Sequence, residues 1–561
     1  MDPEPRTDPR AGGPGGAGGP RAAGRRRGPS LGRASSLMAV ASLVSRITGF
    51  VRQLALVSVL GLGVVNDSYT VANTLPNIVY ELLLGGVLTS IMVPLLVRAQ
   101  TEDADGGEAY TRRLLTVACA ALAVATLAAM AAAPLLTRLY LGDDAGPADP
   151  ALATAFAWLL LPQIFFYGLG ALLGALLNTR GAFGPFAWAP VLNNVVVLAV
   201  LAVFVALPGR ITLDPVRMGE PKLLLLGLGT TLGIVAQAVV LLPAVRRSGF
   251  RYRPLWGWDR RLAETGGLAL WVVGYVLIGQ VGYVVTTRVA AAAAPGSVAI
   301  YANAWLLLQV PYGVLGVSLL TALMPRMSRS AAEGRTADVV ADLGLGVRLS
   351  ALVLLPVSVL LTLFGPALGV ALFSLGAAAD GDGPARLGAA LAASAFGLLP
   401  FAVTMLQLRV FYALTDSRTP TLLQLAIVGV KIPLLLAAGA VLPPERVVLG
   451  LAAANGLSFV FGAVLGQVVL HRRLGRLGTT AVLGALLRVL VASAVAGLAA
   501  WGAMLLARRV LPALGPVAGS WVDLGVAALV GLPVAAVAMV VLRVPELAAL
   551  RGRLRRSARP A

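Results

Sequence analysis

The stretch LMAVASLVSRITGFVRQLALVSVL, residues 37–60, is long and apolar enough to cross a bilayer as one helix. A helix needs about 20 apolar residues to span about 30 Å of hydrocarbon. Further runs of this kind follow along the whole chain, separated by short polar segments. The sequence therefore predicts an all-α polytopic membrane protein with 14 transmembrane helices.

Composition supports this class. The 561 residues are 58% hydrophobic and 12% charged, whereas soluble proteins carry about 25% charged residues. The apolar and polar alternation of a membrane β-barrel is missing from the sequence. The net charge of +20 lies mainly in alternate loops and both tails, which argues against a nucleic-acid interface. One cysteine, Cys119, and one histidine, His471, exclude disulfide frameworks and Cys/His zinc sites.

The apolar runs divide the chain into segments. Spans are predicted near 37–60, 69–97, 113–137, 153–177, 186–207, 222–245, 266–291, 298–323, 345–373, 388–414, 421–441, 448–470, 481–507 and 521–542. The predicted organisation is a disordered basic tail at 1–36, an N-lobe of six helices at 37–245, a basic linker at 246–265, a C-lobe of six helices at 266–475, two more helices at 476–545, and a basic tail at 546–561.

The distribution of Lys and Arg outside these spans predicts the orientation. With the N-terminus inside, cytoplasmic segments hold roughly 30 of these residues and external loops roughly 8, as the positive-inside rule requires. Both termini are therefore expected to be cytoplasmic in a bacterial inner membrane.

An internal repeat relates the two lobes. One echo has a constant offset of 238 residues and pairs Leu161, Pro162, Leu176, Asn178 and Arg180 with Leu399, Pro400, Leu414, Asp416 and Arg418. A second echo pairs Ala72, Asn73 and Pro94 with Ala302, Asn303 and Pro325. Six spans per repeat give two lobes of the same orientation, and such transporters usually bind substrate between the repeats.

Charged residues inside the spans are the candidate functional groups. A buried charge costs at least about 2.5–3.5 kcal/mol on insertion scales, so Arg46, Arg52 and Glu81 should face one another or a wet cavity. Arg288 lies near the outer end of its span and Lys431 at the middle of another. Arg348, Arg409 and Arg488 lie near predicted cytoplasmic ends and are interpreted as interfacial cations, as Lys and Arg commonly are.

Proline and glycine mark the positions at which two spans can bend. Span 2 contains Pro76, Gly85 and Gly86, and span 8 contains Pro311 and Gly313. A gating role competes with simple packing, since both residue types are common in membrane helices. The sequence has no GxxxxGK[ST] phosphate loop, which argues against ATP hydrolysis.

Several short motifs resemble one family. They are Ser45-Arg46-Ile47-Thr48-Gly49-Phe50-Val51-Arg52, Asp67-Ser68-Tyr69, Leu75-Pro76-Asn77, and Phe411-Tyr412-Ala413-Leu414 with Thr419-Pro420. In combination they resemble the MurJ/MviN lipid II flippases of the MOP superfamily, in an actinobacterial-type variant. The resemblance covers residues 37–475, and the last two spans by position.

The resemblance implies alternating access around a cationic cavity. It implies export of the undecaprenyl-diphosphate-linked cell-wall precursor lipid II, driven by membrane potential without a cofactor, with a monovalent cation as the candidate coupling ion. It makes Arg46 and Arg52 the diphosphate-binding residues and places Asp67 at the cavity mouth. Together with Glu81, Arg288, Asn73 and Asn303 they form the predicted substrate-binding set. Membrane lipids and division or elongation proteins are the other expected partners.

The chain departs from the family pattern at two cationic cavity positions, where it has Tyr80-Glu81 and Ala304. Arg288 is the candidate substitute for one of them. Other flippases for lipid-linked oligosaccharides and multidrug/cation antiporters of the same superfold are the alternatives within transporters. A membrane glycosyltransferase or a division scaffold is the alternative from another class. Short external loops count against the enzyme, and the intramembrane arginines against the scaffold.

Overall fold

The computed structural model is a bundle of long helices and describes residues 31–82, 92–142, 147–209, 211–213, 216–257, 266–379 and 381–547. Helices of the first half are α1 Leu31–Leu60, α2 Val64–Leu82, α3 Val93–Glu102, α4 Glu108–Ala131, α5 Ala133–Leu141, α6 Pro150–Leu160, α7 Gln163–Thr179, α8 Phe183–Ala206, α9 Pro221–Val239 and α10 Leu242–Arg247. Those of the second half are α11 Gly266–Ala293, α12 Ser297–Ala332, α13 Thr336–Phe373, α14 Gly383–Ser394, α15 Leu398–Ala413, α16 Arg418–Val441 and α17 Pro444–Leu474. The chain continues with α18 Thr479–Val510, α19 Pro516–Val526 and α20 Leu532–Val541.

The all-α prediction is confirmed, with no strand among the described residues. Thirteen segments of this part of the chain are long and apolar enough to cross a membrane. Predicted span 2 includes residues 83–91, which lie outside the described residues, so the count of fourteen stays a prediction. The domain boundaries also stay predictions.

Prolines and caps explain why several predicted spans consist of two helices. Pro162 separates α6 from α7, and Pro134 starts α5 directly after α4 ends, because proline removes a backbone donor and clashes with the preceding turn. Asp149 begins α6 by accepting hydrogen bonds from the Ala151 and Leu152 amides at 2.8 and 3.0 Å. At the N-terminus, α1 starts at Leu31, inside the predicted tail, since residues that favour helices can extend one already formed.

The packing of the helices repeats between the two halves. In the first half α1 packs on α8, α8 on α9, and α2 on α6 and α7. In the second half α11 packs on α16, α16 on α17, and α12 on α14 and α15 in the same arrangement. Helices α18 and α19 pack on α13, and α20 packs on α18. The predicted pair of repeated lobes with appended C-terminal helices is therefore observed as a packing pattern, and the number of spans in each lobe stays a prediction.

Among the described residues, the two halves share an apolar core at one end of the bundle. We call this the closed end, which contains residues 60–68, 294–299 and 374–386. A single apolar cluster joins the halves there, with Leu56, Phe156 and Tyr301 among its members. At the opposite, open end each half has its own cluster, around Leu172 in the first and Phe411 in the second. Helices α3, α4 and α10 of the open end pack within the first half.

Candidate functional site

Arg46 lies on α1 and reaches across to the second half. Its side chain is exposed, and its Nη1 would lie 2.5 Å from a Cβ atom built on Gly313 of α12. Any side chain at position 313 would therefore displace the guanidinium. Gly313 gives Arg46 the room to lie at the seam between α1 and α12, and its predicted role as a hinge stays a prediction.

Arg52 lies on α1 about 9 Å closer to the closed end than Arg46, at 1.5 Å rise per residue. It is partly buried, and its charge acts on the hydroxyls of Tyr69 and Tyr167. It has no ion-pair partner in the described part of the chain. Both α1 arginines therefore keep guanidinium groups free to bind an anion, which arginine does through paired N–H donors.

Asn303, predicted to bind substrate, belongs to a contact between the halves. Its Oδ1 accepts a hydrogen bond from Gln53 Nε2 at 2.9 Å, and its Nδ2 donates to the Ala299 carbonyl at 2.8 Å. The residue is 1% exposed. Its polar atoms are thus already occupied when the closed end is closed. Asn73, its counterpart in the repeat, is partly buried, and its carbonyl accepts a bond from Asn77.

Asp67 joins the first residues of α2 to the start of α12. Its two carboxylate oxygens accept hydrogen bonds from the Gly296 amide at 2.7 Å and the Ala299 amide at 2.8 Å. The residue is 1% exposed. A carboxylate at a helix N-terminus satisfies free amides and favours the helix dipole. The structure therefore places Asp67 in a contact between the halves at the closed end, away from an open cavity mouth. We call the two hydrogen bonds from Gly296 and Ala299 to Asp67 the lock.

Close backbone approaches surround this lock. A Cβ atom on Gly296 would overlap the Leu62 carbonyl, and one on Gly376 would overlap the Ser58 carbonyl. Both glycines also have positive φ angles, of 80° and 57°. The turn between α1 and α2 thus fits against second-half loops that only glycine allows to come so close.

Glu81 lies at a different seam, between α2 and α11. Its Oε2 accepts a bond from Gln280 Nε2 at 3.4 Å, and its charge acts on Tyr140 and Tyr283. Counted along their helices from the closed end, Glu81 lies at about 26 Å and Arg46 at about 21 Å. Their depths are similar, but these two described residues form no ion pair. Arg46 and Glu81 therefore project from different helices toward different seams and do not face each other; the alternative expectation, that they face a wet cavity, stays a prediction.

Arg288 lies near the closed end, about 7.5 Å along α11 from its last residue. Its Nε is 3.6 Å from the place that a Cβ atom would take on Gly142. The Arg288 side chain lines a cavity of about 630 Å³ between α11, α16 and α17. This position is remote from Arg46 along the bundle. Arg288 is therefore not beside Arg46, and its compensation for one of the two missing cavity cations stays a prediction.

The remaining predicted residues have structural surroundings. Lys431 lies at the contact between α11 and α16, where its Cδ is 4.0 Å from the place that a Cβ atom would take on Gly282. It forms no hydrogen bond in the described part of the chain. Pro76 and Pro311 lie within continuous helices, α2 and α12. Gly85 and Gly86 lie outside the described residues. No group of His, Cys, Asp or Glu among the described residues could hold a metal ion.

Arg409, interpreted from the sequence as an interfacial cation, lies four residues before the end of α15. Its side chain is exposed although α15 is otherwise mostly buried. Its charge acts on Tyr275 of α11, Tyr312 of α12 and Tyr412 of α15. Nothing in the local sequence distinguishes this arginine from an interfacial one, since its position depends on how three helices meet.

Comparisons with known proteins give a consistent result. The family model for "Lipid II flippase MurJ" matches residues 56–512, which leaves Arg46 and Arg52 just outside the match. A "Probable lipid II flippase MurJ" of Haemophilus influenzae is 25% identical over 394 residues, covering 67% of this chain and 75% of the relative. A "Lipid II flippase MurJ" of Burkholderia cenocepacia is 30% identical over 389 residues, covering 67% and 72%.

Two solved structures share the fold. One is titled "Lipid II flippase MurJ, inward closed conformation", with a TM-score of 0.70 and 16% identity over 90% of this chain and 99% of that one. The other is an inward-facing multidrug resistance MATE family transporter of the MOP superfamily, with a TM-score of 0.55 and 14% identity over 81% and 97%. At these identities the likeness concerns the fold alone.

Proposed function

This chain belongs to the lipid II flippase MurJ family and is a lipid II flippase, and on that premise we propose that the lipid's diphosphate passes Arg46 and Arg52 between the two halves. The protein is a transporter and not an enzyme. The observation that carries the proposal is the position of Arg46, exposed on α1 and held against Gly313 of α12.

Physical chemistry supports the assignment of these arginines. A diphosphate must cross about 30 Å of low dielectric, where an uncompensated charge is costly. Arginine stays protonated and offers N–H pairs that match phosphate oxygens. Arg46 and Arg52 are separated by about 9 Å along one helix, so a phosphate leaving one comes within reach of the next. Glu81, at the other seam, lowers the net positive charge of the space when it is empty.

We propose that the open end faces the cytoplasm. This rests on the excess of Lys and Arg in the segments predicted to be cytoplasmic, with both termini on that side of the inner membrane. Lipid II is then loaded at the open end and released after the closed end opens. Opening must break the bonds from Gly296 and Ala299 to Asp67 and the bond between Gln53 and Asn303.

Membrane potential is the proposed energy source. One elementary charge moved across the membrane is worth about 2.3 kcal/mol per 100 mV. A monovalent cation remains a candidate coupling ion, and Lys431, an ionisable group between α11 and α16, is a candidate for sensing charge there. Binding of division or elongation proteins remains a prediction.

The test is complementation of a conditional lipid II flippase depletion strain. Wild type, Arg46→Ala and Arg52→Ala are expressed at matched membrane levels, with Arg509→Ala as a control. Arg509 is an exposed cation at the end of α18, outside the seam between the halves. We expect rescue by wild type and by the control, and no rescue by either α1 variant. Full rescue by both α1 variants would remove these arginines from the pathway, and an inactive but correctly inserted wild type would favour another lipid-linked glycan.

A further inference from the structure

Two cavities meet on the side of the second half that carries α18. The first, which we call the mouth, has a volume of about 490 Å³, lies at the open end between α13 and the loop before α18, and is lined by Arg348 and Arg476. The second, which we call the groove, has a volume of about 410 Å³ and extends between α13, α15, α17 and α18. Gly344, Leu477 and Val482 line both cavities, so the mouth and the groove form one continuous space.

Arg348 lies where the mouth joins the groove. Its Nη1 is 3.4 Å from the place that a Cβ atom would take on Gly344, and the Cγ2 of Val482 is 3.6 Å from the same place. Its Nε donates to Oε1 of Glu546 at 2.6 Å, and Glu546 is 8% exposed. This ion pair fixes the position of the guanidinium. Among the described residues its two Nη groups have no acceptor, so they can donate to a ligand in the mouth.

The groove is apolar and open to the bilayer. Leu483, on its rim, is 53% exposed. Its polar side chains, Gln407, Gln467 and Thr479, hydrogen-bond to one another at 3.3 and 2.9 Å and so offer little to a ligand. The groove extends about 10 Å along α17, from Gln467 to Val460. An alkyl chain is therefore the ligand group that fits it.

The mouth carries a net positive charge. The charges of Arg348 and Glu546 cancel, whereas Arg476 is exposed and has no ion-pair partner in the described part of the chain. A phosphate in the mouth can accept hydrogen bonds from both arginines, since paired N–H donors match phosphate oxygens. Cations at the level of the headgroups, with an apolar groove below them, are the surroundings that an anionic lipid requires.

We propose that the mouth and the groove bind one anionic glycerophospholipid of the leaflet at the open end, with its phosphate on Arg348 and Arg476 and an acyl chain between α15, α17 and α18. The site lies within the second half and α18, away from the seams that contain Arg46 and Glu81. It is therefore separate from the proposed transport path, and the bound lipid holds α18 against the second half. Diffuse attraction of anionic lipids to many surface arginines is the competing explanation.

The headgroup should decide which lipid binds. An acyl chain gains little on moving from the bilayer into the groove, because lipid chains are as apolar as leucine. One cation at the membrane surface raises the affinity for an anionic lipid about fivefold. With Arg476 as the net cation, the site should prefer phosphatidylglycerol to phosphatidylcholine at least about fivefold, and should be half-filled at about 17 mol% phosphatidylglycerol or less.

Quenching of a fluorophore at the groove measures this preference. Cys119 is the only cysteine in the sequence, so Leu483→Cys in a Cys119→Ala parent carries a single bimane label. The full chain is reconstituted in phosphatidylcholine vesicles with increasing amounts of phosphatidylglycerol that has brominated acyl chains. The control is Leu487→Cys, because Leu487 is also 53% exposed on α18 but does not line the groove. We expect half-quenching at about 17 mol% or less for position 483, and at about 50 mol%, the value for random contact, for position 487.

Charge variants test recognition of the headgroup. Arg476→Gln should move half-quenching at position 483 to about 50 mol%, because the net cation is lost. Arg472→Gln is the matched control, since Arg472 is exposed in the last turn of α17 and does not line the mouth. It should leave half-quenching unchanged. Equal shifts in the two variants would show diffuse attraction and overturn the site, as would equal quenching at positions 483 and 487.

Lipid II separates this site from the transport path. Purified lipid II without bromine, added at a small fraction of the phospholipid, should leave quenching at position 483 unchanged. Relief of the quenching would assign the groove to the transported lipid and overturn the phospholipid site. The proposed function is tested independently, because complementation by Arg46→Ala and Arg52→Ala does not involve the mouth or the groove.

Discussion

Replacing Asp67 with alanine should open the closed end. In the closed state both carboxylate oxygens accept amide hydrogen bonds, from Gly296 at 2.7 Å and Ala299 at 2.8 Å, and Asp67 is 1% exposed. These amides are at the N-terminus of α12, where they have no partner within the helix. When the halves separate at this end, water can hydrate both the carboxylate and the amides. The bonds therefore stabilise the closed state relative to the open one.

The magnitude follows from the number and kind of these bonds. A hydrogen bond to a charged group contributes about 1.5–3 kcal/mol net, so two contribute about 3 kcal/mol when Asp67 is ionised; because burial raises the pKa of this carboxyl to about 7, the contribution is smaller below that pH. Each 1.4 kcal/mol is a factor of ten in an equilibrium constant. We therefore expect Asp67→Ala to raise the population opened at this end by roughly a hundredfold or more. Asp67→Asn, which keeps one acceptor oxygen, should have about half this effect in free energy.

Thiol accessibility measures this population. Ser297 is 0% exposed beside the lock, so a Ser297→Cys reporter in the Cys119→Ala background reacts with an external, impermeant reagent only after opening. Asp149→Ala is the matched control, because Asp149 also caps a helix through two amides, but within the first half. Labelling should rise about a hundredfold with Asp67→Ala and stay unchanged with Asp149→Ala. Equal labelling rates in both variants would refute the lock.

Three further predictions concern single contacts. Gly313→Ala should reduce transport several-fold with little loss of thermal stability, because the Cβ atom of the alanine displaces only the flexible end of Arg46. The control is Gly429→Ala, since a Cβ atom at position 429 meets nothing within 4 Å. The exchange Arg46→Glu with Glu81→Arg should not restore transport lost in either single variant, since the two residues form no ion pair; rescue in the complementation assay would contradict this. Although burial opposes ionisation of Asp416, hydrogen bonds from Thr419 and the Arg473 guanidinium lower its pKa from 3.8 to about 2. Because the pKa is lower in the folded protein than in the unfolded one, the ionised carboxylate stabilises the fold above about pH 4. Asp416→Asn should therefore lower the melting temperature above about pH 4, and the difference from wild type should vanish as the pH falls to about 2.

The sequence was sufficient to predict the helical class and the pseudo-repeat, whereas the role of the α1 arginines stays a prediction. These rest on apolar run length and on motifs that stay local. The echo at Leu161-Pro162 and Leu399-Pro400 marks equivalent helix breaks, between α6 and α7 and at the start of α15. Both the periodicity and the breaks are determined by residues close together in the chain.

Contacts between the halves could not be predicted in this way. Sequence spacing predicts that Glu81 and Arg46 lie at similar depths along the bundle. They lie at different contacts between the halves, because α2 places Glu81 against α11 and α1 places Arg46 against α12. Asp67 was expected at a cavity mouth and instead caps a helix that begins 230 residues later in the chain.

The lock also makes a prediction about energy coupling. The hydrogen bonds of ionised Asp67 contribute about 3 kcal/mol, which is similar to the work of moving one charge through about 130 mV, at about 2.3 kcal/mol per 100 mV. A ligand can shift a conformational equilibrium only by its differential affinity for the two states. If lipid II binds Arg46 and Arg52 with similar affinity before and after the closed end opens, the membrane potential must supply the free energy of opening. Removing the lock should then lower the potential required. Transport by Asp67→Ala in vesicles should persist at membrane potentials that no longer support wild type, when potassium gradients with valinomycin set the voltage. If both proteins lose transport at the same voltage, opening of the closed end is not the step that the potential drives.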